Sequence, residues 1–335
     1  MSEFRIDQIT NQSGSRGPDI AGITTFTGTS GMVMPSGPTE YRGGRGRGIA
    51  GGGSPGPNTI AYVTIATTGN AEDFGDLSNG TSNWCGCAGS TRGVFMGGSP
   101  FRNNIDYVTI QSTGNAFEFG DLSNQIRQTG AVANSTRGLH LGGQKTPGVT
   151  TPTIEYITFA TKGDATFFGD FRTGWAGHPA GAGSPTRGLA MGGNNPSTTN
   201  NIDYITFSTL GNSQYFGDLS AAKWGVTACS SSTRAVAAGG NTGAPAIDVI
   251  EYVTIASQGN AVDFGNLSQI NYLMCSASSQ TRGLFINGYA GSPLTRVNTI
   301  EYVTIATTGN ATDFGDMPIA TYNPVGFSDA HGGIG

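Results

Sequence analysis

Charge is scarce in this chain. Only 12% of its 335 residues are Asp, Glu, Lys or Arg, and 17 basic against 22 acidic residues leave a net charge of −5. That is about half the charged share of an ordinary globular domain. The arginines are metered out singly instead of clustering, which argues against a nucleic-acid partner. Long apolar runs are also missing. Nothing approaches the roughly 18 residues of a membrane-spanning helix, and the start, Met-Ser-Glu-Phe-Arg-Ile-Asp, offers neither a basic nor an apolar leader. The expectation is a soluble chain with no membrane span and no signal peptide.

Histidine occurs three times, as His140, His178 and His331, with no common phase. Converging imidazoles for copper or zinc, or a Ser-His-acid triad, are therefore not expected. A glycosidase needs two carboxylates across a cleft, and no acid here stands apart from the rest. No catalytic residue, cofactor or metal is expected. Cys85, Cys87, Cys229 and Cys275 lie five or seven residues before an arginine, where other copies place Val132, Ala182, Gly130 and Ala180. They are expected to be reduced, buried fillers and not ligands.

What the chain has in abundance is glycine, 55 residues, and repetition. A cassette of Ile-x-Tyr-(Val/Ile)-Thr, a Gly-(Asn/Asp) pair and a Phe-Gly-(Asp/Asn) segment occurs six times. Its tyrosines are Tyr62, Tyr107, Tyr156, Tyr204, Tyr252 and Tyr302, spaced 45 to 50 residues apart. A second anchor, arginine followed by apolar residues and a glycine pair, recurs out of phase at Arg47, Arg92, Arg137, Arg187, Arg234 and Arg282. Periods of about 40 to 50 residues suit four-stranded propeller blades.

Within the cassette, Ile60, Tyr62 and Thr64 alternate with Val63 and Ile65, which predicts a strand covered on both faces. The Gly-Asn pair reads as a tight hairpin, and a Ser/Ala/Cys-rich segment precedes each arginine. Each copy thus resolves into four strands: A (small residues), B (arginine), C (tyrosine) and D (Phe-Gly). From tyrosine to phenylalanine the interval is 12 in every copy, whereas from arginine to tyrosine it runs from 15 to 20. Variation is confined to the B–C loop, which in an up-and-down blade shares a face with the D–A connection. The first copy lacks its own strand A, and Pro318 to Ala330 supplies one with nothing after it. The predicted fold is an all-β, six-bladed propeller over 47–335, its first blade closed by the C-terminal strand, preceded by an extended arm over 1–46.

The arginine, the glycine pair and the aromatic strand resemble kelch-type propeller blades. With the arm Ser2-Glu-Phe-Arg-Ile-Asp-Gln-Ile-Thr and the piece Met34-Pro-Ser-Gly-Pro-Thr-Glu40, the cassette over 300–316 is similar to virion structural proteins of marine cyanobacterial phages. The resemblance covers nearly the whole chain. It implies a particle component without a catalytic motif; the expected place is a tail or appendage, with a capsid decoration protein or a carbohydrate-binding or glycan-processing propeller as alternatives. Two departures are local: Ala61 replaces the acid before tyrosine, and Asn266 the Asp after Phe-Gly.

Candidate binding residues fall in three places. The variable B–C loops carry Phe101, Arg102, Lys145, Tyr289 and Arg296, suited to a host-surface glycan or a neighbouring protein. The D–A connections carry Trp84, Trp175 and Trp224, which serve equally well as packing. The arm carries apolar pieces around Phe4, Ile6, Phe26, Met32 and Met34, suited to docking on other virion proteins and to an oligomeric assembly on the particle. The acids before the tyrosines (Asp106, Glu155, Asp203, Glu251, Glu301) and those ending the D strands could offer oxygens to a cation. One identical pair per copy instead favours hydrogen bonds to loop amides. The arginines are expected on the opposite face, tying neighbouring turns together.

Overall fold

The computed structural model describes residues 46–172, 177–194, 197–243 and 246–334. The arm positions Phe4, Ile6, Phe26, Met32 and Met34, and Trp175, lie outside the described residues. All described secondary structure is β-strand apart from turns and bends, so no helix among these residues is long and apolar enough to cross a membrane.

The strands form six four-stranded antiparallel sets in A-B-C-D order. The first set takes strand A from the far end of the chain: Val325–Ser328 pairs with Arg47–Gly51, followed by Thr59–Thr64 and Glu72–Asp76. The second runs Cys85–Ala88, Arg92–Met96, Arg102–Thr109, Phe117–Arg127. The third runs Gly130–Ala133, Arg137–Lys145, Val149–Thr158, Thr166–Asp170, and joins the second through Ile126 opposite Lys145 and Arg127 opposite Gln144. The fourth is Ala180–Gly183, Arg187–Met191, Asn201–Thr206, Gln214–Asp218; the fifth is Thr227–Ser230, Arg234–Ala238, Val249–Thr254, Val262–Asn266. The sixth comprises Cys275–Ser278, Arg282–Ile286, Thr299–Thr304 and Thr312–Asp316. Three short strands, Asn271–Tyr272, Tyr289–Ala290 and Thr295–Arg296, add a small sheet beside it.

Strand alternation sends each set's two faces to different neighbours. Ile60 joins Phe95 and Val108 of the second set, while Ala61, Val63 and Ile65 join Leu284, Ile300 and Phe314 of the sixth. Six such clusters lie between consecutive sets, with Phe74, Phe119, Phe168, Phe216, Phe264 and Phe314 buried in them. Each of these phenylalanines is the extra residue of a bulge opposite strand C. Each lies edge-on to its own tyrosine, at 5.9 to 6.4 Å.

The two sequence anchors meet in every set. All six arginines lie over their tyrosine rings at 4.2 to 5.2 Å. Each then donates from Nη1 to a carbonyl of the following set: Arg47 to Ile110, Arg92 to Phe159, Arg137 to Phe207, Arg187 to Ile255, Arg234 to Ile305, and Arg282 back to Ile65. The arginines therefore tie neighbouring turns, as the repeat suggested.

The Gly-Asn pair does something else. The chain reverses one turn earlier, where Thr67 N donates to Thr64 O, and the pair runs along the outer edge of the preceding set. Gly114 N donates to Phe74 O, Ala116 N to Asp76 O, and Asn115 Oδ1 accepts from Asp76 N. The pattern repeats in all six copies and returns at the end, where Gly69 N donates to Phe314 O and Asn70 Oδ1 accepts from Asp316 N. Strand D, which would otherwise be an open edge, is covered each time.

Strand A is short and made of small residues because these strands face one another. Its last position is Ser on the fifth, sixth and first sets, and these hydroxyls stitch the strands: Ser230 Oγ donates to Gly183 O, Ser278 Oγ to Ser230 O, Ser328 Oγ to Ser278 O. The other three sets carry Ala88, Ala133 and Gly183 there. The C-terminal tail reaches into the same layer, with His331 Nε2 at 2.7 Å from Ala88 O and Gly332 N donating to Ser230 O.

Candidate functional site

The B–C loops and D–A connections share one side of the molecule in every set. Pairs that bridge them are Ser82 with Ser99, Arg127 with Gln144, Gly177 with Asn194, Trp224 with Asn241, Tyr272 with Tyr289, and Tyr322 with Ser54. The next residue of each D–A connection adopts positive φ: Asn83, Gln128, His178, Leu273 and Asn323 at 51° to 59°, and Gly225 at 64°. Five side chains accept a conformation that costs about 1 kcal/mol. In return their amides pass bonds around the face, Gln128 N to Asn83 O, His178 N to Gln128 O, Leu273 N to Gly225 O and Asn323 N to Leu273 O.

The five candidate loop residues fall into two groups. Phe101, Arg102 and Lys145 gather where the second and third sets join; Arg127 lies over the Phe101 ring at 4.5 Å and its Nε donates to Gln144 Oε1. All three are half-buried. Tyr289 and Arg296 gather beside the sixth set, where the small sheet places Tyr272, Tyr289 and Arg296 directly across from one another. Trp224 packs edge-on to Tyr272 at 5.4 Å, Tyr322 stands 5.3 Å from Tyr289, and Arg296 lies 5.7 Å over Tyr322. Leu294 and Thr295 complete this aromatic groove.

Sequence reading placed Trp224 in a D–A connection but did not single out Tyr272 or Tyr322. The signal was phase: Trp224 and Tyr272 each sit ten residues before their arginine, and Tyr322, like both, three residues before strand A. Trp84 is no site residue. It is 7% exposed and stacked on Phe95 at 5.0 Å.

The acids before the tyrosines bind the preceding set and not one another. Asp106 accepts from Ser78 Oγ, Glu155 from Ser123 N, Glu251 from Ser220 N, and Glu301 from Ser268 N. Asp203 accepts from Arg172 Nη2 of the preceding connection and also from Ser213 Oγ of its own set. Glu251 also pairs with Lys223, both side chains buried. No cluster of three or more potential metal ligands occurs among the described residues. Ala61 now has an explanation. The residue in the donor position is Pro318, which carries no N–H, so a carboxylate at the buried position 61 would lack the backbone donor that Ser123, Ser220 and Ser268 supply in other sets. Ala61→Glu is expected to cost about 3 kcal/mol, and adding Pro318→Ser to recover about 1 to 2 kcal/mol of it. Urea unfolding of the two single variants and the double variant measures the coupling; strictly additive effects would contradict it.

The four cysteines are free and buried, and burial pushes the Cys85 and Cys229 thiols up to about 12, so they are held as thiols. Cys87 packs against Gly138 and Cys229 against Gly283, the glycines that follow arginine in the next set. Where the filler is Ala182, the residue after arginine is Ala235 in the same cluster. Filler and hole are matched.

Burial also holds all three histidines neutral, His140 at about 3 and His178 and His331 at about 4. An unfolded chain takes up protons at these groups once pH falls below about 6.5. Stability present above 6.5 is therefore lost progressively as pH falls towards 4. Each histidine is expected to contribute a loss of about 1 kcal/mol between pH 6.5 and 5.5. Asp203 and Asp329, raised by burial, oppose the loss at its acid end. Urea midpoints across this range should fall, and His140→Phe should flatten the slope.

No protein-family model matches the chain, and no curated protein matches it.

Proposed function

We propose that the six sets are the blades of one closed, six-bladed kelch-like propeller, and that the chain is a non-enzymatic structural protein of a phage virion. In this reading it sits on a tail or appendage, where the arm over 1–46 docks it to other virion proteins, several copies assemble, and the loop face meets a host surface or a neighbouring protein. The observation that carries the propeller is the return of every inter-set tie to its start, with Arg282 on Ile65 and Gly69 on Phe314. Support for a virion role comes from the cassette and arm resemblance. Support for binding without catalysis comes from the three histidines, held in the packed interior, and the acids before the tyrosines, which bond to loop groups, while the aromatic groove faces outward.

Phage particles assembled with a tagged copy of the chain test this reading. The tag is expected at the tail, and a chain lacking residues 1–40 is expected to fold yet stay off the particle. Label over the capsid would favour a decoration protein. Absence of the full-length chain from purified particles would overturn the proposal, and normal incorporation of the truncated chain would remove the arm as its anchor.

A further inference from the structure

In the third, fourth and fifth sets the D–A connection and the two arms of the B–C loop pair in one row, Arg127–Gln144–Thr150, Gly177–Asn194–Thr198 and Trp224–Asn241–Ala246, and the sixth set makes the same row from two tyrosines and an arginine, Tyr272–Tyr289–Arg296. Structural roles repeat with the fold, whereas sites break its symmetry. Around the sixth set's row lies the densest group of half-exposed aromatic rings on the loop face: Trp224, Tyr272, Tyr289 and Tyr322. Cross-strand pairing fixes Tyr272, Tyr289 and Arg296 in one row, and ring contacts at 5.3 to 5.9 Å fix the row to Tyr322 and Trp224. Little ordering remains to be done when a ligand arrives.

The charge in this groove is of one sign. Arg296 is its sole ionisable cation, it is exposed, and no carboxylate lines the groove. Among the described residues no ion pair is formed by Arg296; its only charge-related contact is the Tyr322 ring. A guanidinium presents a planar fork of donors that matches a carboxylate or sulfate. Aromatic faces accept the apolar C–H face of a pyranose, and tyrosine hydroxyls and Thr295 supply polar partners around it. We propose that the Trp224–Tyr272–Tyr289–Tyr322 groove binds an anionic oligosaccharide, sugar rings on the aromatic row and the anionic substituent on Arg296. This rests on the reading of the loop face as a binding surface.

Titration calorimetry on the full chain tests it with three probes of equal length: a neutral hexose oligomer, a hexuronic acid oligomer and a sulfated hexose oligomer. At least one anionic probe is expected to bind about tenfold more tightly than the neutral one, and whichever does so identifies the anion. Tyr289→Ala should weaken all binding about tenfold or more. Arg296→Gln, at an exposed position, should reduce the affinity of the anionic probe to that of the neutral one. Equal affinity for neutral and anionic probes, no saccharide binding at all, or anionic binding untouched by Arg296→Gln would each overturn the proposal. None of these outcomes bears on particle incorporation, which the tagged-chain experiment reads separately.

Discussion

A chain ending at Met317 is expected to have no cooperative thermal transition and to aggregate. The deleted segment supplies strand A of the first set, so Arg47–Gly51 would become an unpaired edge. Val325 and Phe327 leave the cluster between the first and second sets, where Phe327 stands edge-on to Phe95 at 4.9 Å and fills the space over Gly93. Losing those two side chains alone costs about 5 kcal/mol, a large part of the roughly 5 to 15 kcal/mol that holds a domain folded. Further bonds go with them. Asp329 Oδ1 accepts from Gly46 N and Arg47 N, and Ser328 Oγ and His331 hold the strand A carbonyls of Ser278 and Ala88. Differential scanning of the truncated chain should show no peak, and a melting curve like that of the intact chain would contradict the closure described here.

Gly217→Ala should destabilise by about 3 kcal/mol, whereas Gly259→Ala, at the position it touches, should stay within about 1 kcal/mol of the parent. Both glycines belong to the repeated cassette, and the sequence does not distinguish them. Their surroundings do. A Cβ on Gly217 would overlap the carbonyl of Gly259 in the next set, which is backbone held by the bond from Gly259 N to Phe216 O. It cannot retreat without opening the seam. A Cβ on Gly259 would meet nothing within 4 Å. Urea midpoints of the pair decide the matter, and equal losses would mean that the glycines serve chain flexibility and not close approach.

Strand order, the facing of Ile60 and Tyr62 against Val63 and Ile65, and the C-terminal strand were legible because they rest on local alternation and on counting copies. Features that depend on a partner in the neighbouring set were not. The Gly-Asn pair looks like a hairpin turn until its partner, the preceding strand D, is beside it. Ala61 looks like drift until Pro318, on the far end of the chain, is seen to lack the donor. Ala235 after arginine makes sense only next to Ala182. Of the candidate site, Tyr289 and Arg296 were readable as loop residues, but their row with Tyr272 and Tyr322 depends on a small sheet whose strands are two residues each. Strands that short leave no periodic pattern to read. Trp84, named for its residue type, turned out to be core.

Everything assigned to the loop face requires that the sixth set close on the first, and hydrogen exchange on the intact chain reads that seam directly. Gly69 N on Phe314 O and Ala71 N on Asp316 O, both 2.8 Å, are the closing bonds; Gly211 N on Phe168 O and Ser213 N on Asp170 O, both 3.0 Å, are their interior equivalents. Seam and interior amides should exchange at similarly slow rates, since both open only with the fold as a whole. Seam amides exchanging as fast as those of the exposed loops, with the interior ones still protected, would show an open array and contradict the closed ring proposed above.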